Sequence, residues 1–216
     1  NCAVIVLLAQ SSAAEVAEAN RWMMQLANDS VQCWAACLAA LDRAVSDAEA
    51  QVVLSLCLSL VRQNRLVGAP TAAAIAPVTR RLWSGATVAT PALRQACTLL
   101  CAVACRDPHE CERLLDWPFS LGVAEAALAL HILMDVANEV LHRPMQSKPL
   151  SKLLQGLVGD VLPYLEQCAT LDGLLPLALQ TLQAWTHAGI VLSDLAQLPT
   201  LARALLEASE RPDAGR

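Results

Sequence analysis

Ser46–Arg65, SDAEAQVVLSLCLSLVRQNR, decides the fold class. Ser46 stands three residues before Glu49, the spacing of a capping box, in which hydroxyl and carboxylate satisfy free N–H groups at a helix start. No Gly or Pro follows before Arg65, and Ala, Leu and Gln are strong helix formers, so the stretch predicts one long helix.

Working outward, the same signals recur. Upstream, Ser12-Ala13-Ala14-Glu15 is another capping box, opening a helix to about Asn28, and Asp29-Ser30 opens the next, to about Ala44. Downstream, Gly68 and Pro70 break the chain before a helix over Ala72 to Trp83 that carries Pro77. After a loop from Gly85 to Thr90, Pro91 takes a first-turn position, where a missing N–H costs nothing, and its helix runs to about Cys105. Asp107-Pro108 starts a short helix, His109 to Asp116, closed by Trp117-Pro118. Leu121 to His142 follows; Pro144 and Pro149 bracket a loop. Helices over Leu150 to Cys168 (bent at Pro163), Leu174 to Ala188 and Asp194 to Ser209 complete the pattern, and 211–216 read as a frayed tail.

Every second start, near Ser30, Ala72, His109, Pro149 and Asp194, falls roughly 40 residues from the last, the period of HEAT and armadillo arrays. A helical hairpin cannot bury its apolar face alone, and stacking hairpins solves this. The expectation is an all-α, right-handed α-solenoid of about five HEAT-like helix pairs, a single array over 1–216; an irregular bundle is the alternative.

Composition agrees. Of 216 residues 56% are apolar and 16% charged, where about 45–50% and about a quarter are usual. Roughly a third of the chain is Ala plus Leu and only 3% is aromatic, which excludes an all-β fold and, with so few charges, a disordered chain. The net charge of −5 offers nucleic acid no general attraction. No apolar run reaches the ~18 residues of a membrane span. Asn1 to Ala9 is apolar without the basic n-region of a signal peptide, and the start at Asn reads as a trimmed fragment.

Catalytic and metal motifs are sparse. Cys97, Cys101 and Cys105 lie at i, i+4, i+8 with His109 and Cys111 close behind, but no CxxC knuckle exists, so zinc gives way to a seam of small buried residues. Cys33 and Cys37 read alike, and the odd total of nine cysteines suits reduced thiols packed as small hydrophobes. A Cys–His nucleophile lacks a Gly-rich elbow, and GxGxxG, GxxxxGK[ST] and HExxH are absent. His131 reads as a core histidine; His142 and His187 sit near helix C-termini. Trp22, Trp34, Trp83, Trp117 and Trp185 read as core wedges rather than a ligand cage, and Arg80-Arg81 as a solvated helix end rather than an anion corner. No enzymatic activity and no cofactor is expected.

Three stretches carry a resemblance. Ala17-Glu18-Ala19-Asn20-Arg21-Trp22-Met23-Met24, followed by Ala35, Cys37 and Leu38, is similar to the opening repeat of importin-β-superfamily nuclear transport receptors (karyopherins), closest to the transportin-SR branch. Ser46 to Asn64 resembles the capped long helix of their second repeat, and Ala178 to Leu192, ALQTLQAWTHAGIVL, their "L..W...G" helix. The resemblance implies the N-terminal HEAT repeats of a longer receptor that moves between cytoplasm and nucleus. Its partners would be the small GTPase Ran in its GTP form, a cargo protein and nucleoporins, without direct nucleic-acid contact or membrane insertion. A HEAT-type scaffold that ignores Ran is the alternative.

In such receptors the second helix of each pair lines the concave face and clasps Ran. Carried over, these are Ser30 to Ala44, Ala72 to Trp83, His109 to Asp116 and Leu150 to Cys168. Their apolar stripes run Val31, Trp34, Leu38, Leu41; Ile75, Val78, Leu82; Leu114, Leu115; and Leu150, Leu153, Leu154, Leu157, Val161, Leu165. The polar residues off the stripes, Gln32, Arg43, Arg80, Glu110, Arg113, Lys152, Gln155 and Asp160, become the candidate Ran-binding set.

Overall fold

The computed structural model describes residues 30–43, 46–63, 72–83, 90–142, 147–190, 192–196 and 198–209. The Ser12 capping box, Trp22, Cys2 and the 211–216 tail lie outside them. Ten α-helices and no strands occur among the described residues: α1 (Ser30–Arg43), α2 (Asp47–Arg62), α3 (Ala72–Trp83), α4 (Pro91–Ala104), α5 (Pro108–Ser120), α6 (Ala126–Leu141), α7 (Ser147–Ala169), α8 (Leu175–Trp185), α9 (Leu192–Leu195) and α10 (Pro199–Ser209). None is long and apolar enough to cross a membrane.

The chain divides into two compact units, Asn1–Ala104 and Cys105–Arg216. In the first, α2 packs on α1 and on α4, and α3 packs on α4. Two helices therefore press on α4, ten of whose fourteen residues are buried. In the second, α5 packs on α6 and α7, α6 on α7 and α8, and α7 on α8 and α10. Helix α6, touched by three others, buries eleven of its sixteen residues.

The Ser46 capping box forms: the Ser46 hydroxyl accepts from the Glu49 N–H at 3.2 Å and the Glu49 carboxylate from the Ser46 N–H at 3.3 Å. Pro91 and Pro108 open their helices, the latter behind Asp107, whose carboxylate accepts the His109 N–H at 2.9 Å.

Other boundaries shift, each for a local reason. Helix α5 does not stop at Trp117-Pro118 but runs through to Ser120, because Pro118 falls in the last turn, loses one hydrogen bond and is itself buried. Pro149 is not a loop residue; it sits in the first turn of α7, where its N–H would have no partner anyway. Before α6, Gly122 is extended and Val123–Glu125 form a 3₁₀ turn, so the helix starts later than Leu121. The final helix splits into α9 and α10, because Pro199 drives Leu198 out of helical conformation.

The core of α1 is rotated from the expected stripe. Cys33, Cys37, Ala40 and Leu41 are buried, while Trp34 and Leu38 are half-buried. Small side chains let α2 approach closely, with Cys57 buried opposite, and a tryptophan does not fit that seam. Only one described tryptophan, Trp185, is fully buried.

Four polar links tie helices far apart in sequence. Asp47, at the start of α2, accepts the Thr90 hydroxyl at 2.6 Å and the Ala92 N–H at 3.4 Å, anchoring the start of α4. Arg81 on α3 donates to the terminal carbonyls of α1, those of Leu41 and Asp42, and pairs with the Asp42 carboxylate at 3.6 Å. On α8 the Thr181 hydroxyl lies 3.3 Å from the Leu130 carbonyl of α6, and the Trp185 indole N–H donates to the Leu133 carbonyl at 2.9 Å. Glu166 on α7 accepts two backbone N–H groups of α10.

Candidate functional site

The candidate residues divide between the units. Gln32 and Arg43 stand on α1 and Arg80 on α3; Glu110 and Arg113 stand on α5, and Lys152, Gln155 and Asp160 on α7. All are exposed except Glu110, which is half-buried. The hydrophobic pattern therefore identified outward faces correctly, even where the stripe of α1 shifted.

Arg43, Glu110 and Arg113 are engaged within their own helices. Arg43 donates its Nε–H to the Ala39 carbonyl of its own helix at 2.9 Å. Arg113 pairs with Glu110 one turn back at 3.3 Å, an exposed pair of small energetic value. Among the described residues Lys152 and Asp160 have no ion-pair partner. Gln155 is not purely solvent-facing: its side chain lies against the left-handed turn at Gly189, where a Cβ would sit 3.7 Å from Gln155 Cγ.

The outward stripe of α7 is the most continuous of these faces. Lys148, Lys152, Gln155, Gly156, Gly159, Asp160, Pro163 and Gln167 are all exposed. The opposite side buries Leu150, Leu154, Val161, Leu162, Leu165 and Cys168. A Cβ added at Gly156 or Gly159 would meet nothing within 4 Å. The middle of this face is thus a flat, backbone-exposing patch between a lysine and an aspartate, a surface that another protein backbone can approach closely.

Sequence pairing of Arg80 with Arg81 concealed a division of labour. Arg80 points outward, whereas Arg81 caps α1 and holds α3 to it. No local motif marks Arg81, since its acceptors are carbonyls about forty residues away. Asp47 and Glu166 were missed for the same reason.

A cleft of about 180 Å³ opens where α6 and α8 end, walled by Val140, Leu154 and Ala184, with Ser151 and His187 as its polar groups. A second, more open depression of about 460 Å³ is lined by Leu58, Pro91, Arg94, Gln95 and Thr98 of α2 and α4. Among the described residues no three His, Cys, Asp or Glu side chains are placed to hold a metal ion. All eight described cysteines are buried and none is in a disulfide. Hydrogen bonding to Cys57 and burial push the Cys37 thiol far up, and burial pushes Cys168 up, so both stay protonated.

No family model, curated protein or solved structure matches the chain.

Proposed function

We propose that the chain is a protein-interaction module built as a HEAT-like α-solenoid, and that it binds GTP-loaded Ran as the N-terminal part of an importin-β-type nuclear transport receptor. One observation supports the solenoid reading above others: helices pack on the next but one. Helix α2 meets α4, α5 meets α7, and α6 meets α8. Within each unit, contact between a helix and the next but one is what stacked hairpins produce.

On this reading the Ran-contacting residues are Gln32, Arg43 and Arg80 in the first unit and Glu110, Arg113, Lys152, Gln155 and Asp160 in the second. Polar groups on a charge-poor chain are where a partner's charges are matched, which gives specificity and faster encounter. The Ran assignment itself rests on the resemblance of Ala17–Met24, Ser46–Asn64 and Ala178–Leu192 to the receptor repeats. On this reading the protein works in cytoplasm and nucleus, takes up cargo and contacts nucleoporins, and does no catalysis of its own.

The test is a titration of the purified chain with Ran loaded with GTP or GDP, repeated with Arg80→Glu/Lys152→Glu. Binding should favour the GTP form. The double variant should weaken it by about 1–3 kcal/mol with helical content unchanged. Absence of binding, or equal affinity for both nucleotide states, would reject the Ran reading and leave a HEAT-type scaffold for another protein. Unaltered affinity in the double variant would reject the assigned face.

A further inference from the structure

We propose that Cys105 and Cys111 are an oxidisable dithiol, closing to a disulfide that staples the turn before α5 to the first turns of that helix. Their Sγ atoms are 3.8 Å apart, in van der Waals contact, and the two residues are 1% and 0% exposed. The inference does not depend on Ran binding.

A thiol contact also links Cys37 to Cys57 of α2, but both of those residues lie within helices, whereas Cys105 does not. A disulfide needs sulfurs about 2.05 Å apart and Cβ atoms about 3.8 Å apart. Cys33 and Cys37, like Cys97 and Cys101, lie four apart on one helix, with rigid backbone and nearly parallel Cα–Cβ bonds. Cys105 is the one described cysteine outside a helix, since α4 ends at Ala104 and Cys105 begins the turn. A turn residue can swing its sulfur inward where a helical one cannot. The turn is also held near its target: the Cys111 N–H donates to the Asp107 carbonyl at 2.9 Å, and the Asp107 carboxylate caps His109.

The oxidant is a peroxide. The sulfur of one cysteine attacks a peroxide oxygen, the O–O bond breaks, and a sulfenic acid and one water result. The second sulfur attacks the sulfenic sulfur, the S–O bond breaks, and the departing hydroxide takes the second thiol's proton as water. Two electrons pass from the thiols to the peroxide. Both sulfurs are buried, so the rate follows local opening of the turn, and the new bond then resists that opening.

The full chain, reduced and then treated with graded hydrogen peroxide, is alkylated and digested with trypsin without reduction. Cleavage after Arg106 separates the two cysteines, so the bond shows as Gln95–Arg106 joined to Asp107–Arg113, lighter than their sum by two hydrogens and released by reductant. This linked pair should account for most of Cys111 before any other cysteine pair forms. It should persist in Cys97→Ala/Cys101→Ala and vanish in Cys105→Ala. Full alkylation of Cys111 after peroxide, or a link through Cys97 or Cys101, would overturn the proposal; fragmentation of the linked wild-type peptides, which shows which two of Cys97, Cys101 and Cys105 carry the alkyl group, decides this even if a variant fails to fold.

Discussion

Glu166→Gln should loosen α10 at neutral pH and leave it no looser than the wild type in acid. Pro199 opens α10, so the N–H groups of Thr200 and Leu201 lack acceptors in their own helix. Glu166, on α7, fills that gap: one oxygen accepts Thr200 N–H at 2.7 Å and the other accepts Leu201 N–H at 3.1 Å. A helix cap contributes about 0.5–2 kcal/mol, and a carboxylate at the positive end of the helix adds about 0.3–1. Glu166 is only half-buried, so water recovers part of this. Glutamine keeps one acceptor and loses the charge, and a net loss of about 1 kcal/mol is expected.

The pH dependence has a definite sign. Burial alone would raise the Glu166 pKa, but hydrogen bonds from Thr200 and Leu201, with Arg203 nearby, outweigh it and hold the carboxyl below its usual range. A lowered folded pKa gives stability that is complete above the unfolded value, about 4.3, and lost as pH falls through the folded one. Amide exchange in 200–206 reads it. At pH 7 exchange should be about fivefold faster in Glu166→Gln, as about 1 kcal/mol implies. The difference should shrink towards pH 3 as the wild-type carboxylate protonates. Equal exchange at pH 7, or a gap that persists unchanged in acid, would refute the capping account.

Two further substitutions probe other parts of the structure. Gly156→Ala should raise stability by about 0.5–1 kcal/mol in urea denaturation, because the position is mid-helix and a Cβ there meets nothing; a destabilised variant would show that the exposed face of α7 is not open. Trp185→Phe, which removes the indole donor to Leu133 and leaves a small void beside a fully buried site, should cost about 1–3 kcal/mol by thermal unfolding; a loss within error would show that this hydrogen bond and the ring's packing contribute little.

Local devices were legible in the sequence because their parts are neighbours in the chain. The Ser46–Glu49 box, Pro91 and Asp107-Pro108 each act within four residues, and the structure uses them as expected. Outward faces were legible too, since helical period fixes which residues share a side; seven of the eight candidate positions are exposed, Glu110 being the exception. The stripe of α1 misled because hydrophobicity ranks Trp34 and Leu38 above Cys33, Cys37 and Ala40, whereas close packing of two helices selects by size. Pro118 and Pro149 misled because a proline in a terminal turn costs a helix little, and both fall there.

What the sequence could not reveal follows one rule. Asp47 reaches Thr90, Arg81 reaches Leu41, Thr181 and Trp185 reach Leu130 and Leu133, and Glu166 reaches Thr200, at separations between 34 and 52 residues. The first three join a helix to the next but one, and the fourth does the same once the four-residue α9 is set aside. Three of these links satisfy a helix end: Asp47 and Glu166 accept orphan N–H groups, and Arg81 donates to orphan carbonyls. Apolar contact between two Ala- and Leu-rich helices is tolerant of sliding, since one small side chain packs much like another. A hydrogen bond to a specific helix end is not tolerant, and slipping by one turn would strand both groups. The same roughly 40-residue interval that spaces the helix starts therefore also spaces the polar contacts that set their register. A chain whose apolar surface is so uniform needs such fixed points, and its few charged and polar residues are placed where they supply them.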